Sequence, residues 1–437
     1  SYELGVRSHS IMSIIVTKSS PVVVTGPSEL GTATGGIINL SSFDKCFAPV
    51  PVGLLLIFDQ PINEPIETIK KALSQALVLY QPMAGHLVTG PDGEPIHILC
   101  TGEGVSFVGA SANCALDQFT TSTLLLGDLA VRYPAEYCLP GDPMLLMQVT
   151  EFACGGFVVG VTWNHVLADA AGMVQFLQAV GELARGMPAP SVLPVRSEAE
   201  CTFPRLPPPF VTAMRTRMLA GMVEKASIDV TISWSFISCI KAECGGDCTV
   251  FDAVAAVLWQ CRTRAVISDP DTPAPLVFSS NMRGLVRAKR GYYGNCVMGQ
   301  PVQAQSGMVA SSDIKDLVKL IRLAKEKIPD ILTNNGGGGD QQQQVAPPKY
   351  NQLVVTSLRN LGLNAVDFGR GGPVRVVPPP SPPERTAMNI CILCPPCKGK
   401  DGVNVVSLCV KPEHADAFRR ELAAIHMHMN LHLLARF

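Results

Sequence analysis

The chain has 437 residues, 47% of them hydrophobic, and a formal net charge of −1. It is long enough for one large or two medium cores, and that charge balance favours neither nucleic acid nor an anionic membrane as a partner. No run approaches the roughly 18 apolar residues of a membrane helix, so the sequence predicts a soluble protein.

Residues 1–11, SYELGVRSHSI, precede Met12 and lack the apolar stretch of a signal sequence. They read as an added remnant and are set aside. Pro21 to Pro27 reads as a strand running into a loop, and Val52 to Asp59 as a buried strand. A helix follows, capped by Asn63, with Pro65 in its first turn and an apolar stripe of Ile66, Ile69, Leu73, Ala76, Leu77 and Tyr80; Pro82 ends it. GHLVTGPDGEPIHILC then reads as a hairpin turning at Pro91-Asp92-Gly93. Met144 to Phe152 and Phe157 to Trp163 are two strands joined by Ala-Cys-Gly-Gly. After the second, Met173, Phe176, Leu177, Val180, Leu183 and Ala184 recur at helical spacing, and Asp169 suits the N-cap. His165 stands at the junction between strand and helix.

From Pro188 to Pro209 seven prolines and little periodicity predict a surface crossover. Thr249 with Asp252 forms a capping-box pattern ahead of a helix through Phe251, Val254, Ala255 and Leu258. Ser311 to Lys327 reads as a further helix. Thr333 to Gln344, TNNGGGGDQQQQ, has nothing apolar to bury and reads as a mobile loop. A proline-rich turn from Pro378 to Pro383, a strand from Val403 to Val410 and a helix from Glu413 to about His428 close the chain. Strands and helices alternate in both halves, which predicts an α/β fold with mixed sheets.

Fifteen cysteines, an odd number without a secretory signal, fit free thiols in a reducing, cytoplasmic compartment. Cys391, Cys394 and Cys397 are tightly spaced, but no second cluster accompanies them, and they read as structural thiols rather than a metal site. The tail HMHMNLH carries His426, His428 and His432, whose two-residue spacing does not share a helix face and suggests no ligand pair.

Three chemistries use a histidine at a strand end. A serine hydrolase needs a G-x-S-x-G elbow and a zinc protease needs H-E-x-x-H; the chain has neither. A lone general base, which takes a proton from an acceptor while that acceptor attacks an activated acyl group, lacks no part. On H-x-x-x-D alone, a structural role for His165 stays open.

The wider context narrows this. His165-Val-Leu-Ala-Asp169 and, about 200 residues on, Asp367-Phe368-Gly369-Arg370-Gly371 resemble the HxxxD and DFGWG motifs of the plant BAHD acyltransferases. The resemblance extends from Met12 through KALSQALVLYQPMAGHL, CTGEGVSF, TVFDAVAAVLWQCRT, Asn281-Met282-Arg283-Gly284, GYYGNC and KDGVNVVSLCVKPEH. It is strongest with the branch holding benzoyl-, acetyl- and hydroxycinnamoyl-transferring members.

The resemblance implies two chloramphenicol-acetyltransferase-like domains, each a mixed β-sheet flanked by helices, at 12–190 and 216–437, joined by a crossover at 191–215. A channel between them would admit acyl-CoA as co-substrate from one face and the acceptor from the other, with no metal and no bound cofactor. His165 would be the base. Asp169 would point away from substrate and pair with Arg283, and the loop of Asp367, Phe368, Gly369, Arg370 and Gly371 would support the fold and the CoA channel. Arg370 replaces the family's usual tryptophan; the resemblance implies a tolerated change, with a weakened CoA loop or an arginine–phosphate contact as alternatives. The expected enzyme is a cytoplasmic monomer moving a benzoyl or hydroxycinnamoyl group from CoA to an alcohol or amine, such as an arylalkylamine. The alternatives are an acetyl-CoA-dependent alcohol O-acyltransferase and a non-catalytic binding protein on the same scaffold.

Overall fold

Near-continuous apolar sequence produces strands that are buried on both faces, and two such strands form the centre of the first sheet. The computed structural model describes residues 14–27, 35–120, 125–196, 203, 205–219, 221–329, 350–381 and 383–434. The first sheet runs in the order β1 (Val16–Lys18), β7 (Val105–Ala112), β8 (Leu145–Phe152), β9 (Phe157–Asn164), β4 (Pro51–Phe58) and β15 (Arg375–Val377), with β2 (Val22–Val24) also paired to β7. β7 and β8 are parallel and the other pairs antiparallel.

Alternate residues of β4 and β9 face opposite ways. Leu54, Leu56, Val159 and Val161 pack under α2 (Pro65–Leu77) and α4 (Ala170–Ala184), whose Ile69, Leu73, Met173, Phe176 and Leu177 share that core. Leu55, Ile57 and Val158 face the other way, onto Phe119 of α3 (Leu116–Thr120), Leu126, Leu129 and Cys394. β3 (Gly36–Asn39), β6 (Pro95–Cys100) and β5 (His86–Thr89) form a small side sheet. Its hairpin turns at 91–93, where Gly93 takes a φ of +77°.

α2 departs from expectation at both ends. Glu64, not Asn63, is the N-cap, in a left-handed conformation without a side-chain cap, and Thr68 Oγ1 donates to the Asn63 carbonyl at 2.9 Å instead. The helix stops at Leu77, yet the Tyr80 ring beyond it is fully buried.

The second sheet has the order β11 (Ile228–Ser233), β18 (Gly402–Leu408), β17 (Ile390–Leu393), β14 (Leu353–Ser357), β12 (Leu276–Asn281) and β13 (Val297–Val302). Against it lie α6 (Trp234–Glu243), α7 (Val250–Val266), α9 (Ile314–Glu326) and α10 (Ala415–Leu434). The expected capping box opens α7: the Asp252 amide donates to Thr249 Oγ1 and the Thr249 amide to Asp252 Oδ2. The helix expected over 311–327 is α9, which begins at Ile314 after Asp313 as its N-cap, and a separate short helix, α8 (Ser306–Ser311), precedes it. The last helix runs past His428 to Leu434. The glycine-rich stretch 333–344, expected as a mobile loop, residues 1–11 and the side chains of His426, His428 and His432 lie outside the described residues.

One strand crosses between the halves expected at 12–190 and 216–437. β10 (Val223–Glu224) and β16 (Arg385–Thr386) form a separate ribbon, while β15, from the far half, adds to the edge of the first sheet beside β4. Leu358, Leu363, Val366, Phe368 and Val376 join the first core with it. The crossover is also less irregular than its prolines imply. α5 (Pro208–Leu219) starts inside it, because proline is tolerated in a first helical turn. It packs on α1 (Ser42–Phe47), and Arg215 pairs with Glu94 of the first half. Among the described residues no helix is long and apolar enough to cross a membrane.

Candidate active site

β9 ends at Asn164, and the chain turns sharply before α4. Asn164 makes the turn, its carbonyl accepting from the Leu167 amide at 3.0 Å and its Oδ1 from the Val166 amide at 3.1 Å. His165 sits on this turn, its amide donating to the Val50 carbonyl at 2.8 Å. Its ring stacks on Phe47 of α1, with centroids 4.3 Å apart and planes 11° from parallel. Nδ1 is enclosed by protein, while the residue as a whole keeps accessible surface. Burial pushes the imidazole pKa below its ordinary 6.5, outweighing the opposing pull of its own carbonyl, Asp169, Asn295 and Asp44. The ring is therefore neutral near pH 7.

Asp169 caps α4, with Oδ1 accepting from the Gly172 amide at 2.9 Å. Arg283, which follows β12 of the second sheet, reaches across to it with two parallel bonds, Nη1 to Oδ2 at 2.9 Å and Nη2 to Oδ1 at 2.8 Å. The Cys296 amide also donates to Oδ2 at 2.9 Å. Burial opposes the arginine charge, but Asp169 outweighs it and the Arg283 pKa is raised. This carboxylate has four donors, none of them the imidazole. The same seam demands a glycine. A Cβ on Gly172 would stand 1.8 Å from the Tyr293 carbonyl oxygen, so α4 reaches the loop 291–296 only without a side chain there. Gly172→Ala is expected to lower the urea midpoint by an amount worth at least about 1–3 kcal/mol and to reduce turnover; an unchanged midpoint would mean that this contact does not set the seam.

Three further residues converge on the turn that sequence reasoning did not select. Asp44 of α1 is fully buried, closes a capping box with Ser41, and meets Arg196 from the crossover at 3.1 Å. Asn295 donates from its amide and from Nδ2 to Asp44 Oδ1, at 3.1 and 3.0 Å, and from Nδ2 to the His165 carbonyl at 2.8 Å. Arg196 Nη2 donates to the Val166 carbonyl at 3.2 Å. The Ser41-x-x-Asp44 spacing and the GYYGNC string were the available signals.

The Asp367–Gly371 loop lies near Phe157, at the opposite end of β9 from His165; at about 3.3 Å per residue the strand separates the two by roughly 23 Å. Asp367 Oδ1 accepts from the Gly369 and Gly371 amides at 2.7 and 2.8 Å, and the two glycines take φ values of +140° and +99°. Phe368 is buried edge-on against Phe58, while Arg370 is exposed. Arg185 of the first half bonds the Asp367 carbonyl, and the Gly181 backbone passes close to it. Cys391 and Cys394 are buried and free, and among the described residues no three His, Cys, Asp or Glu side chains gather as a metal site would require.

Two mixed sheets with outer helices, joined by a crossover and meeting at a turn that carries HxxxD, define a chloramphenicol-acetyltransferase-like acyltransferase. The model of the family described as Transferase family matches residues 14–424. The chain belongs to that family, and within it to the plant BAHD acyl-CoA-dependent acyltransferases. It is 45% identical over 438 residues to Acyl transferase 15 of Oryza sativa subsp. japonica, spanning 95% of this chain and 99% of that one. It is 34% identical over 447 residues to myricetin 3-O-glucosyl 1,2-rhamnoside 6'-O-caffeoyltransferase AT2 of Crocosmia x crocosmiiflora, spanning 94% and 99%. Among solved structures the fold resembles vinorine synthase, with a TM-score of 0.77, 19% identity and coverage of 94% of this chain and 98% of that one.

Proposed function

We propose that this acyltransferase moves an aromatic acyl group, of the benzoyl or hydroxycinnamoyl kind, from CoA to a hydroxyl or amine of a plant specialised metabolite, with His165 as general base in a ternary complex. The observation that carries the chemistry is the His165 imidazole, neutral through burial, stacked on Phe47 and enclosed at Nδ1, which leaves Nε2 as the nitrogen for substrate. The aromatic donor is supported by the caffeoyl specificity named for the two Crocosmia relatives, each 34% identical.

In this reading Nε2 removes the acceptor proton as the oxygen or nitrogen attacks the thioester carbonyl. The tetrahedral oxyanion collapses, the C–S bond breaks, and the imidazolium returns its proton to the CoA sulfur. No acyl-enzyme forms. Trp163 is not the oxyanion donor, since its indole N–H is committed to the Ala168 carbonyl at 2.9 Å. Asp169 and Arg283 hold the turn, and Asp367, Phe368, Gly369, Arg370 and Gly371 support the fold at a distance. An exposed Arg370 fits a tolerated replacement of the family's tryptophan.

The test is a matrix of acetyl-, benzoyl- and hydroxycinnamoyl-CoA against alcohol, polyamine and arylalkylamine acceptors, read by free-thiol release. The expected outcome is highest turnover with an aromatic donor. Turnover with acetyl-CoA alone would replace the donor class, and no release with any pair would favour a binding protein on this scaffold.

A further inference from the structure

Two buried polar atoms beside the catalytic turn have no hydrogen-bond partner: Nδ1 of His165 and Oδ1 of Asn295. They belong to residues already joined, because Asn295 Nδ2 donates to the His165 carbonyl at 2.8 Å. The carboxamide cannot be turned round. Nδ2 faces three oxygens, those of Asp44 Oδ1 at 3.0 Å, the His165 carbonyl at 2.8 Å and the Val166 carbonyl at 3.3 Å, and an oxygen in its place would be repelled by all of them. Oδ1 is thus left as an acceptor with no donor, and Nδ1 as a ring nitrogen whose other candidate acceptor is the residue's own carbonyl. An orphaned buried acceptor costs about 1–3 kcal/mol, and each of these two atoms is what the other lacks.

We propose that Asn295 is a positioning residue for the base: its Oδ1 takes the Nδ1–H of His165 when substrate closes the site, fixing the tautomer whose Nε2 lone pair faces the acceptor. A base needs a third group to orient it, and here a neutral carboxamide fills that place while the nearby carboxylates are occupied elsewhere. Asp169 is taken by Arg283, Gly172 and Cys296. Asp44 is taken by Arg196, the Ser41 amide and Asn295 itself. Arg196 therefore acts through Asp44, gripping Asn295 from the crossover. Asn295 also stands among the groups that raise the basicity of the imidazole against burial, as an acceptor does. On α1, which also carries Lys45, the Cys46 thiol is pushed up to about 12 by burial and by Asp44 and stays neutral.

The inference rests on His165 being the base, and its test is separable from the test of that role. The first measurement is the ¹⁵N spectrum of the histidine-labelled full-length wild-type enzyme with CoA bound. An Nδ1–H tautomer at His165 is expected, and an Nε2–H tautomer overturns the proposal whatever the variants do. The second is Asn295→Ala, with Asn295→Ser as the alternative if alanine does not fold. The expected result is a kcat lower by about 10- to 100-fold, a KM for acyl-CoA within about twofold of wild type, and an acid limb of the pH profile moved to lower pH. A folded variant that loses activity with its acid limb and ¹⁵N shifts unmoved would reduce Asn295 to a packing role. Loss of the His165 role itself would show instead as an active His165→Ala enzyme.

Discussion

Replacing His165 with alanine is expected to lower kcat by about 10²-fold or more with no change in far-UV circular dichroism, since general-base assistance is typically worth 10² to 10⁴. The wild-type enzyme should also carry the signature of a buried base. Burial lowers the pKa from 6.5, so the acid limb of kcat/KM falls below that value, with activity rising as pH rises through it and level at neutral pH. The linkage has the same sign. A folded pKa below the unfolded one means that the unfolded chain binds the proton first, so this group's contribution to stability is full above 6.5 and is lost as pH falls from there through the folded value. His165→Ala should remove that part of the pH dependence. An alanine variant retaining most of its turnover would end the general-base reading.

Breaking the Asp169–Arg283 pair is expected to cost about 3–5 kcal/mol, the range for removing one member of a buried ion pair. That figure applies rather than the ~1 kcal/mol of a surface pair, because the Asp169 side chain is only 3% exposed and Arg283 is 20% exposed. Asp169→Ala leaves a guanidinium enclosed without its partner, and also uncaps α4 and frees the Cys296 amide. Arg283→Ala leaves a buried carboxylate with its amide donors alone. Urea unfolding should place both single variants well below wild type and the double variant above the sum of the losses, since the second removal takes away the stranded charge left by the first. Strict additivity, or an Asp169→Ala midpoint equal to wild type, would show that the pair does not brace the turn.

The parts of this architecture that could be read from the chain are those whose determinants are local. The switch from a continuous apolar run at Phe157 to a three-and-four spacing at Met173 marks β9 and α4, and Asp169 at the boundary marks the cap. Thr249 and Asp252 mark the start of α7 in the same way. What was not legible depends on distant partners. β15 is three residues long, too short to show alternation, and exists because the bare edge of β4 supplies its hydrogen bonds. α5 was hidden because its first turn holds prolines that elsewhere signal irregular chain. At the start of α2, Asn63 has the right side chain for a cap but the backbone before Pro65 puts Glu64 there instead. Asp44, Arg196 and Asn295 lie in three separate segments with no common spacing, so only the fold makes them one group.

The strand exchange also constrains the order in which the molecule can be made. During synthesis β4 leaves the ribosome early, but its partner Arg375–Val377 comes near the end of the chain, so the first sheet spends most of translation with that edge open. The edge carries Leu55, Leu56 and Ile57, an apolar stretch suited to pairing with a neighbouring chain. The half that bears His165 is thus completed by its partner: its last strand is delivered by the half that bears Arg283.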